Sequence, residues 1–152
     1  MGLIVAASAG FLVAVLWMDL IFDSQVLRHR SADELPEPVL ASISAYYRRA
    51  TTTSRPMSHL IALVMAILAG ALGFAWISGP TAVWPLAAAS ALAVGPILLA
   101  MLRTVPNAVR LGARSGDISQ QSRLARSVCV DHLVCLACLA GFLAIWLAIS
   151  AR

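Results

Sequence analysis

The hydrophobic residues of this chain fall into four long runs, separated by two polar connections and one very short link. The runs cover residues 2–22, 57–77, 81–102 and 128–150. Each run is long enough for a helix to cross a hydrocarbon core of ~30 Å, which takes about 20 apolar residues. The pattern therefore predicts an all-α polytopic membrane protein, with one membrane domain over residues 1–152 folded as an antiparallel four-transmembrane-helix bundle.

The connections differ in length and predict different structures. Ser78-Gly79-Pro80 is too short for anything but the turn of an antiparallel hairpin. The first connection is much longer, and its residues 38–52 begin with a proline and place apolar side chains near helical spacing. We expect a short cytoplasmic interfacial helix there, which either covers a polar site or simply anchors the chain at the membrane surface. Its apolar positions are Val39, Leu40, Ile43, Tyr46 and Tyr47.

Small residues recur at spacings of four in the first span and of four and three in the second, and Gly95-Pro96 interrupts the third. Such smooth ridges let neighbouring helices approach closely, so they predict packing surfaces within the bundle, in a homo-oligomer or in a larger membrane complex. The proline predicts a kink. The two ridges are Gly2, Ala6, Gly10 and Ala14, and Ala62, Ala66, Gly70 and Gly73.

Charge adds an orientation to this picture. The net charge of +4 comes from eleven arginines and no lysine, of which five lie in the first long connection and five in the second. The positive-inside rule then places both long connections in the cytoplasm and both termini outside, with only Arg152 opposing this arrangement. We expect a bacterial inner membrane location. Because topology accounts for the arginines and no aromatic-basic pattern accompanies them, we expect no nucleic-acid partner.

A layer of polar residues interrupts the apolar runs on the cytoplasmic side. Ionisable groups in a membrane are costly, so this layer indicates either a functional site or a buried polar network that fixes helix register. The candidate catalytic residues are His132, Asp131 and Asp19, and the candidate substrate-binding residues are Arg103, Asn107, His59 and Asp23.

The residue types in this layer suit acid–base chemistry. His132 is the group that titrates near neutral pH and is the candidate base. Asp19 or Asp131 is expected to orient it, and either carboxylate is expected to form an ion pair with Arg103. Arg103 and Asn107 would hold an oxyanion or hydroxyl group of the substrate.

The cysteines in the fourth span do not extend this chemistry. Cys135 and Cys138 form a CxxC spacing, but apolar surroundings disfavour the thiolate that redox pairs need, so these residues and Cys129 are interpreted as small packing groups. No pair of potential ligands has a recognised metal-binding spacing, so we expect no metal site. The sequence requires no cofactor and leaves open whether one binds.

The end of the third span and the start of the fourth resemble a known family. The segment Arg103-Thr-Val-Pro106-Asn107-Ala-Val-Arg110-Leu, with Asp131-His132 further on, is similar to the anthrone oxygenase family of small four-span membrane proteins. This chain has one Asn where the family often has two. The resemblance implies a pocket for a planar, phenol-like hydrophobic substrate and cofactor-independent oxygenation, with Asn107 and His132 as the corresponding site residues.

Two classes of function follow from these features. The first is a small membrane enzyme, oxygenase-like or acid–base, that acts on a lipophilic substrate in a polar pocket at the cytoplasmic membrane face. The alternative is a non-catalytic accessory or assembly subunit, whose ridges pack against larger partners and whose polar layer is structural. A proton-coupled transporter is less favoured, because a polar layer near one face provides no path to the other. Membrane lipid and a lipophilic small molecule are the expected partners.

Overall fold

The computed structural model describes residues 2–79 and 83–150, with only the backbone of Arg55. Every regular element in these residues is helical, which confirms the predicted all-α fold class. Pro80 of the predicted turn and Arg152 lie outside the described residues, as do the first two residues of the third predicted span. The α-helices are α1 Gly2–Asp23, α2 Glu37–Arg48, α3 Arg55–Ile77, α4 Val83–Leu99, α5 Val105–Gly112 and α6 Ile118–Ser150.

Four continuous helical segments are long and apolar enough to cross a membrane, so the protein is integral to a membrane. They are longer than the apolar runs of the sequence, because the helical backbone continues into polar residues. A 3₁₀ helix extends α1, a π turn joins α4 to α5, and α6 begins ten residues before its apolar run. The segments are Gly2–His29, Pro56–Ile77, Val83–Gly112 and Ile118–Ser150.

Helices α1 and α6 pack along each other through matching seams. The buried residues of α1 follow the alternating spacing of three and four typical of a helix-packing seam. Asp19 and Asp23 continue that spacing, and His132 falls on the corresponding seam of α6. We call the buried apolar cluster around these seams the membrane core; it contains Val5, Ala9, Leu12, Leu68, Leu72, Ala89, Ala93, Leu139, Phe142 and Trp146.

A second buried cluster, the cap core, lies at the end of the bundle where α2 and α5 cover the first turns of α6. The amphipathic pattern of residues 38–52 correctly identifies the buried face of α2: Leu40, Ile43 and Tyr47 are almost fully buried. The chain follows α2 with a π turn at Arg49–Thr53 rather than more α-helix. The cap core contains Val26, Leu35, Leu40, Ile43, Tyr47, Ala108, Leu111, Ala125, Val128 and Cys129.

Close packing of α5 on α2 depends on Gly112. A Cβ atom at this position would lie 2.8 Å from the backbone nitrogen of Arg48 and 3.0 Å from the carbonyl carbon of Tyr47. Both contacts are with backbone atoms, which cannot rotate away. Gly112 therefore fixes how closely α5 approaches the last turn of α2, and with it the position of Tyr47.

In the third membrane segment the backbone hydrogen-bond pattern changes from α to π after the internal proline, and the helix does not end at that proline. Helix α4 continues through Pro96 for three more residues. The π turn follows at Ala100–Thr104, where the N–H of Val105 donates to the carbonyl oxygen of Ala100. Pro106 lacks a backbone N–H and restricts the residue before it, so a change of helix type directly before it accommodates the proline. This turn brings Thr104 to the polar layer.

Candidate functional site

His132 lies at the junction of the membrane core and the cap core, with one ring nitrogen held by a carboxylate. Its Nδ1 atom is 2.7 Å from Oδ2 of Asp23, which is fully buried. The hydroxyl of Tyr47 donates to Asp23 at 2.8 Å and lies 3.4 Å from the same His132 nitrogen. This arrangement fixes the ring orientation and leaves Nε2 as the nitrogen that is not committed to Asp23.

A second carboxylate faces the free nitrogen of the histidine. Asp19 lies one helical turn before Asp23 on α1, and its Oδ2 is 3.8 Å from Nε2 of His132. Its other oxygen accepts a hydrogen bond from the hydroxyl of Tyr46. Tyr46 is itself held by the ring of Phe22, which stacks on it at a centroid distance of 4.1 Å. His132 is thus flanked by two carboxylates, each supported by a tyrosine of α2.

The two tyrosines act as hydrogen-bond donors. Burial is the main cause that raises the pKa of both hydroxyls above the usual value, because it penalises the phenolate. The negative charge of Asp19 raises the pKa of Tyr46 further, and that of Asp23 raises the pKa of Tyr47. Both hydroxyls therefore stay protonated at neutral pH and donate to the carboxylates.

A cavity of about 560 Å³ opens beside this group. Its volume falls within the range of small-molecule sites, about 300–1,000 Å³. Its polar lining residues are Asp19, Tyr47, Thr51, Ser58, Thr104 and His132. The other lining residues are apolar: Leu12, Val15, Leu16, Ala50, Ile61, Ala62, Met65, Pro96, Ile97, Ala100, Met101, Val105, Ala108, Val109, Cys135 and Leu139.

The cavity lies between α3 and the segment from α4 to α5. At the hairpin end these helices are tied together, because the indole N–H of Trp76 donates to the Ser90 hydroxyl at 3.0 Å. Towards the end of the bundle near α2, the cavity lies between α3 and the segment from α4 to α5. Met101 and Val105 are 62% and 51% exposed on the apolar surface of the bundle. These two residues place part of the cavity wall at the outer surface of the bundle.

Asp131 belongs to a separate network, although it is adjacent to His132 in sequence. Successive helical residues point about 100° apart, so the two side chains diverge. Asp131 accepts a hydrogen bond from Thr104 at 3.3 Å and lies 3.4 Å from Nε of Arg103. Arg103 also donates to the hydroxyl of Ser127, at 3.0 Å. This network links the second π turn to α6.

The structure brings together some of the predicted site residues and separates others. Asp19, Asp23 and His132 form one group. Arg103 and Asn107 both donate to Ser127, and neither lines the cavity among the described residues. His59 has an exposed side chain on α3 and lies outside the cavity lining described here.

Asp23, which was expected to bind substrate, is the carboxylate at hydrogen-bond distance from Nδ1 of His132. Asp19 or Asp131 was expected to orient the ring, and this role stays a prediction. Asp131 points away because it is the immediate neighbour of His132 on the same helix, and Asp19 lies one turn deeper on α1, beside Nε2. The expected ion pair with Arg103 is the one that involves Asp131.

Asp23 and Tyr47 were both identified from the sequence, but their contacts with His132 were not predicted, and Thr104 was not identified. Asp23 follows Asp19 by four residues, so both lie on one face of α1. Tyr47 lies on the predicted apolar face of α2, which identifies it as buried but not as the partner of a carboxylate. Thr104 gave no signal, because its direction depends on the π turn.

The arrangement is suited to proton transfer. A neutral imidazole with Nδ1 donating to a buried carboxylate presents Nε2 as an acceptor, and the cavity supplies a site from which the proton would come. In the part of the chain that the structure describes, no group of three or more His, Cys, Asp or Glu side chains is arranged to hold a metal ion. The three cysteines are free, and Cys129 and Cys135 are buried.

No family model, curated protein or solved structure matches this chain.

Proposed function

We propose that this protein is a small membrane enzyme that performs acid–base chemistry on a lipophilic substrate bound in the cavity beside His132. The observation that carries the proposal is the pair of contacts to the histidine: Asp23 at 2.7 Å from Nδ1, and Asp19 at 3.8 Å from Nε2 at the cavity wall. A buried base that is oriented by a carboxylate and open to an apolar cavity is the combination that proton abstraction from a hydrophobic molecule requires.

In the proposed reaction, Nε2 of His132 takes a proton from the polar group of the substrate. Asp23 stabilises the imidazolium that forms, and Tyr47 keeps Asp23 in place through its hydrogen bond. Asp19, 3.8 Å from Nε2, supplies a second negative charge that stabilises the imidazolium. The apolar walls hold the rest of the substrate and exclude water, which strengthens the electrostatic interactions at the polar end.

The resemblance to the anthrone oxygenase family extends the proposal to a specific chemistry. It implies a planar, phenol-like substrate, whose deprotonated form then reacts with oxygen without a cofactor. His132 would be the base in that reaction. Asn107, the other residue that the resemblance implies, donates to Ser127 outside the described cavity lining, so we assign it a structural role at the end of α5.

The arginine distribution supports an orientation for this site. We propose that the ends of the helices that carry α2 and the polar residues face the cytoplasm of a bacterial inner membrane, because the arginines concentrate in the connections on that side. The termini would then lie outside. Fusion of a reporter enzyme to the first long connection and to the C-terminus tests this topology.

The functional proposal is tested with a matched pair of histidine variants. The protein is purified in mild detergent as wild type, His132→Ala and His59→Ala, and native mass spectrometry with lipid and metabolite extraction identifies what each retains. We expect the wild type and His59→Ala to carry the same lipophilic molecule, and folded His132→Ala to lose it or to release it unconverted. Identical contents and identical turnover in all three proteins would contradict the proposal.

One observation favours the alternative, a non-catalytic subunit of a larger assembly. The predicted ridge of α3 is not covered by the described residues: a Cβ atom added at Gly70 or Gly73 would have no neighbour within 4 Å. A second helix fits such a surface. Because a Cβ atom at Gly70 meets no described atom, a loss of oligomer or of a co-purifying protein in a folded Gly70→Leu variant would favour the subunit interpretation. Unchanged assembly would favour the enzyme.

A further inference from the structure

A second depression, of about 270 Å³, lies beside the cap core, on the face of α2 that carries Glu37, Ala41 and Ser44. It is bounded by α2 and by the end of α5, which both also contribute to the His132 cavity, but the two cavities have no described lining residue in common. Small residues form its floor, so the backbones of both helices are accessible. The lining residues are Glu37, Ala41, Ser44, Ala45, Arg48, Gly112 and Arg114.

Two buried polar atoms at this depression lack hydrogen-bond partners among the described residues. They are the hydroxyl oxygen of Ser44, a residue that is only 3% exposed, and Nη1 of Arg114. Buried polar groups in proteins are almost always satisfied, because an unpaired one costs free energy on folding. Two such atoms at one depression, one on α2 and one in the turn after α5, indicate that a ligand with hydrogen-bond acceptors completes the site.

The charges at the depression favour an anion. Arg114 forms an ion pair with Glu37 through its other terminal nitrogen, Nη2. Arg48 forms no ion pair with the residues that the structure describes, so the lining carries one uncompensated positive charge. An arginine that is already held by a carboxylate is positioned for a second, bidentate partner.

The backbone fixes Arg114 in this position at a conformational cost. Its φ angle is 54°, in the left-handed region that residues other than glycine rarely adopt. Hydrogen bonds from the N–H of Arg114 to the carbonyl of Leu111 and from Ser115 to Arg110 hold the turn. The close approach at Gly112 then brings this turn beside Ser44 and Arg48. The two hydrogen bonds of the turn form a Schellman motif, in which a helix commonly ends with one residue in the left-handed conformation, so the helix end itself accounts for the φ angle of Arg114.

We propose that this depression binds a phosphate group, held by the guanidinium groups of Arg48 and Arg114 and by the hydroxyl of Ser44. Phosphate is favoured over a carboxylate because its tetrahedral oxygens can accept from three donors that approach from α2 and from the turn after α5, whereas a planar carboxylate has two oxygens. The phosphate belongs either to a lipid headgroup or to a soluble phosphate compound. Helix α2 lies outside the four membrane-spanning segments, at the end of the bundle, so either source can reach it.

The test uses delipidated full-length protein in a neutral detergent. Binding of short-chain phosphatidic acid, of glycerol 3-phosphate and of inorganic phosphate is measured by native mass spectrometry and by the shift in thermal stability. The variants are Arg48→Gln, Arg114→Gln and Ser44→Ala. Arg110→Gln is the control, because it removes the same charge from an exposed position on α5 outside the described lining.

We expect Arg48→Gln and Arg114→Gln each to weaken phosphate binding about tenfold, because each removes a charge-assisted hydrogen bond, and Arg110→Gln to leave it unchanged. Arg48→Gln is the decisive variant if Arg114→Gln disturbs the turn. Ser44→Ala should raise thermal stability without ligand, since it removes an unsatisfied hydroxyl, and should reduce the ligand-induced shift.

The two sources give different patterns. Binding of phosphatidic acid alone identifies a lipid site, and equal binding of all three compounds identifies the phosphate group itself as the ligand. No binding by the wild type would overturn the proposal. An equal loss in Arg110→Gln would also overturn it, because the attraction would then be a general effect of positive charge.

Discussion

The membrane core and the cap core are built from the same helical spacing but are surrounded by different environments. Residues of both are fully buried, among them Leu68 in the membrane core and Leu40 in the cap core. Outside the membrane core the surface is apolar, with Ile77 and Trp84 more than 80% exposed. Outside the cap core it carries charged residues such as Arg48. The two cores are therefore distinguished by the exposed residues of the helices that form them, which are apolar around the membrane core and charged around the cap core.

This difference has an energetic consequence. Lipid tails are as apolar as leucine, so burial in the membrane core contributes packing but little transfer free energy. Burial in the cap core removes apolar surface from a polar environment, worth ~0.8 kcal/mol per CH₂. The polar group of Asp19, Asp23 and His132 lies where the two meet. At that level the membrane helices leave the His132 cavity between them, and the tyrosines of α2 cover the two carboxylates.

The largest loss of stability is expected for substitution of Asp23, which lies where the membrane core meets the cap core. Asp23→Ala removes the carboxylate that holds His132 and Tyr47, and leaves both without their partner. Breaking a buried pair in this way typically costs about 3–5 kcal/mol. We expect a large fall in thermal stability together with loss of ligand. Asp33→Ala, in the exposed connection, is the control; equal stability of the two variants would show that Asp23 is not buried as described.

The contrast between the cores is measured directly by a pair of leucine truncations. Leu40→Ala in the cap core is expected to cost about 2–5 kcal/mol, the usual range for a buried leucine. Leu68→Ala in the membrane core should cost less, because its transfer term is small. Reversible unfolding in mixed micelles gives both values. A larger loss for Leu68→Ala would mean that the cap core contributes less to stability than its burial indicates.

A pair of glycine substitutions separates close packing from free surface. Gly112→Ala forces backbone atoms of α5 and α2 apart and should destabilise the protein by about 1–3 kcal/mol. It should also weaken ligand binding at His132, because Tyr47 moves. Gly70→Ala meets no atom within 4 Å and should be neutral, or stabilising by up to about 1 kcal/mol through helix propensity. Equal effects on thermal stability would contradict the packing of α5 on α2.

The smallest expected effect is a change in the pH at which the tyrosines ionise, measured by absorbance. Tyr46 and Tyr47 are the only tyrosines of the chain, so the ultraviolet absorbance of tyrosinate reports on them alone. Because their pKa values are raised in the folded protein, their contribution to stability is present below the unfolded pKa of about 10 and is lost as pH rises above it. We expect no tyrosinate signal until pH is well above 10, and then one that accompanies unfolding.

Asp23→Asn sharpens this last measurement. Removing the negative charge beside Tyr47 should lower the pH at which tyrosinate appears, although burial, the larger cause, remains. A titration of both tyrosines near pH 10 in the folded wild type would contradict their burial.

Much of the architecture was determined by the sequence alone. The length and hydrophobicity of the four runs required helices, because only structures that satisfy their own backbone hydrogen bonds can cross a membrane as single segments. The amphipathic pattern of residues 38–52 identified the buried face of α2. The scarcity of ionisable residues in the apolar runs was enough to select Asp19 and His132 as candidates for the site.

What only the tertiary structure decided is which of these polar residues meet. Asp131 and His132 are neighbours in sequence but point into separate networks, whereas Asp23 and His132 are 109 positions apart and lie 2.7 Å from each other. The rotation of α6 about its axis relative to α1 determines that His132, and not Asp131, faces Asp23. The π turns and the close approach at Gly112 determine where Thr104 and Tyr47 point. These depend on backbone geometry and helix contacts, to which a hydrophobic pattern is insensitive, because many rotations and crossings of the same four helices bury the same apolar residues.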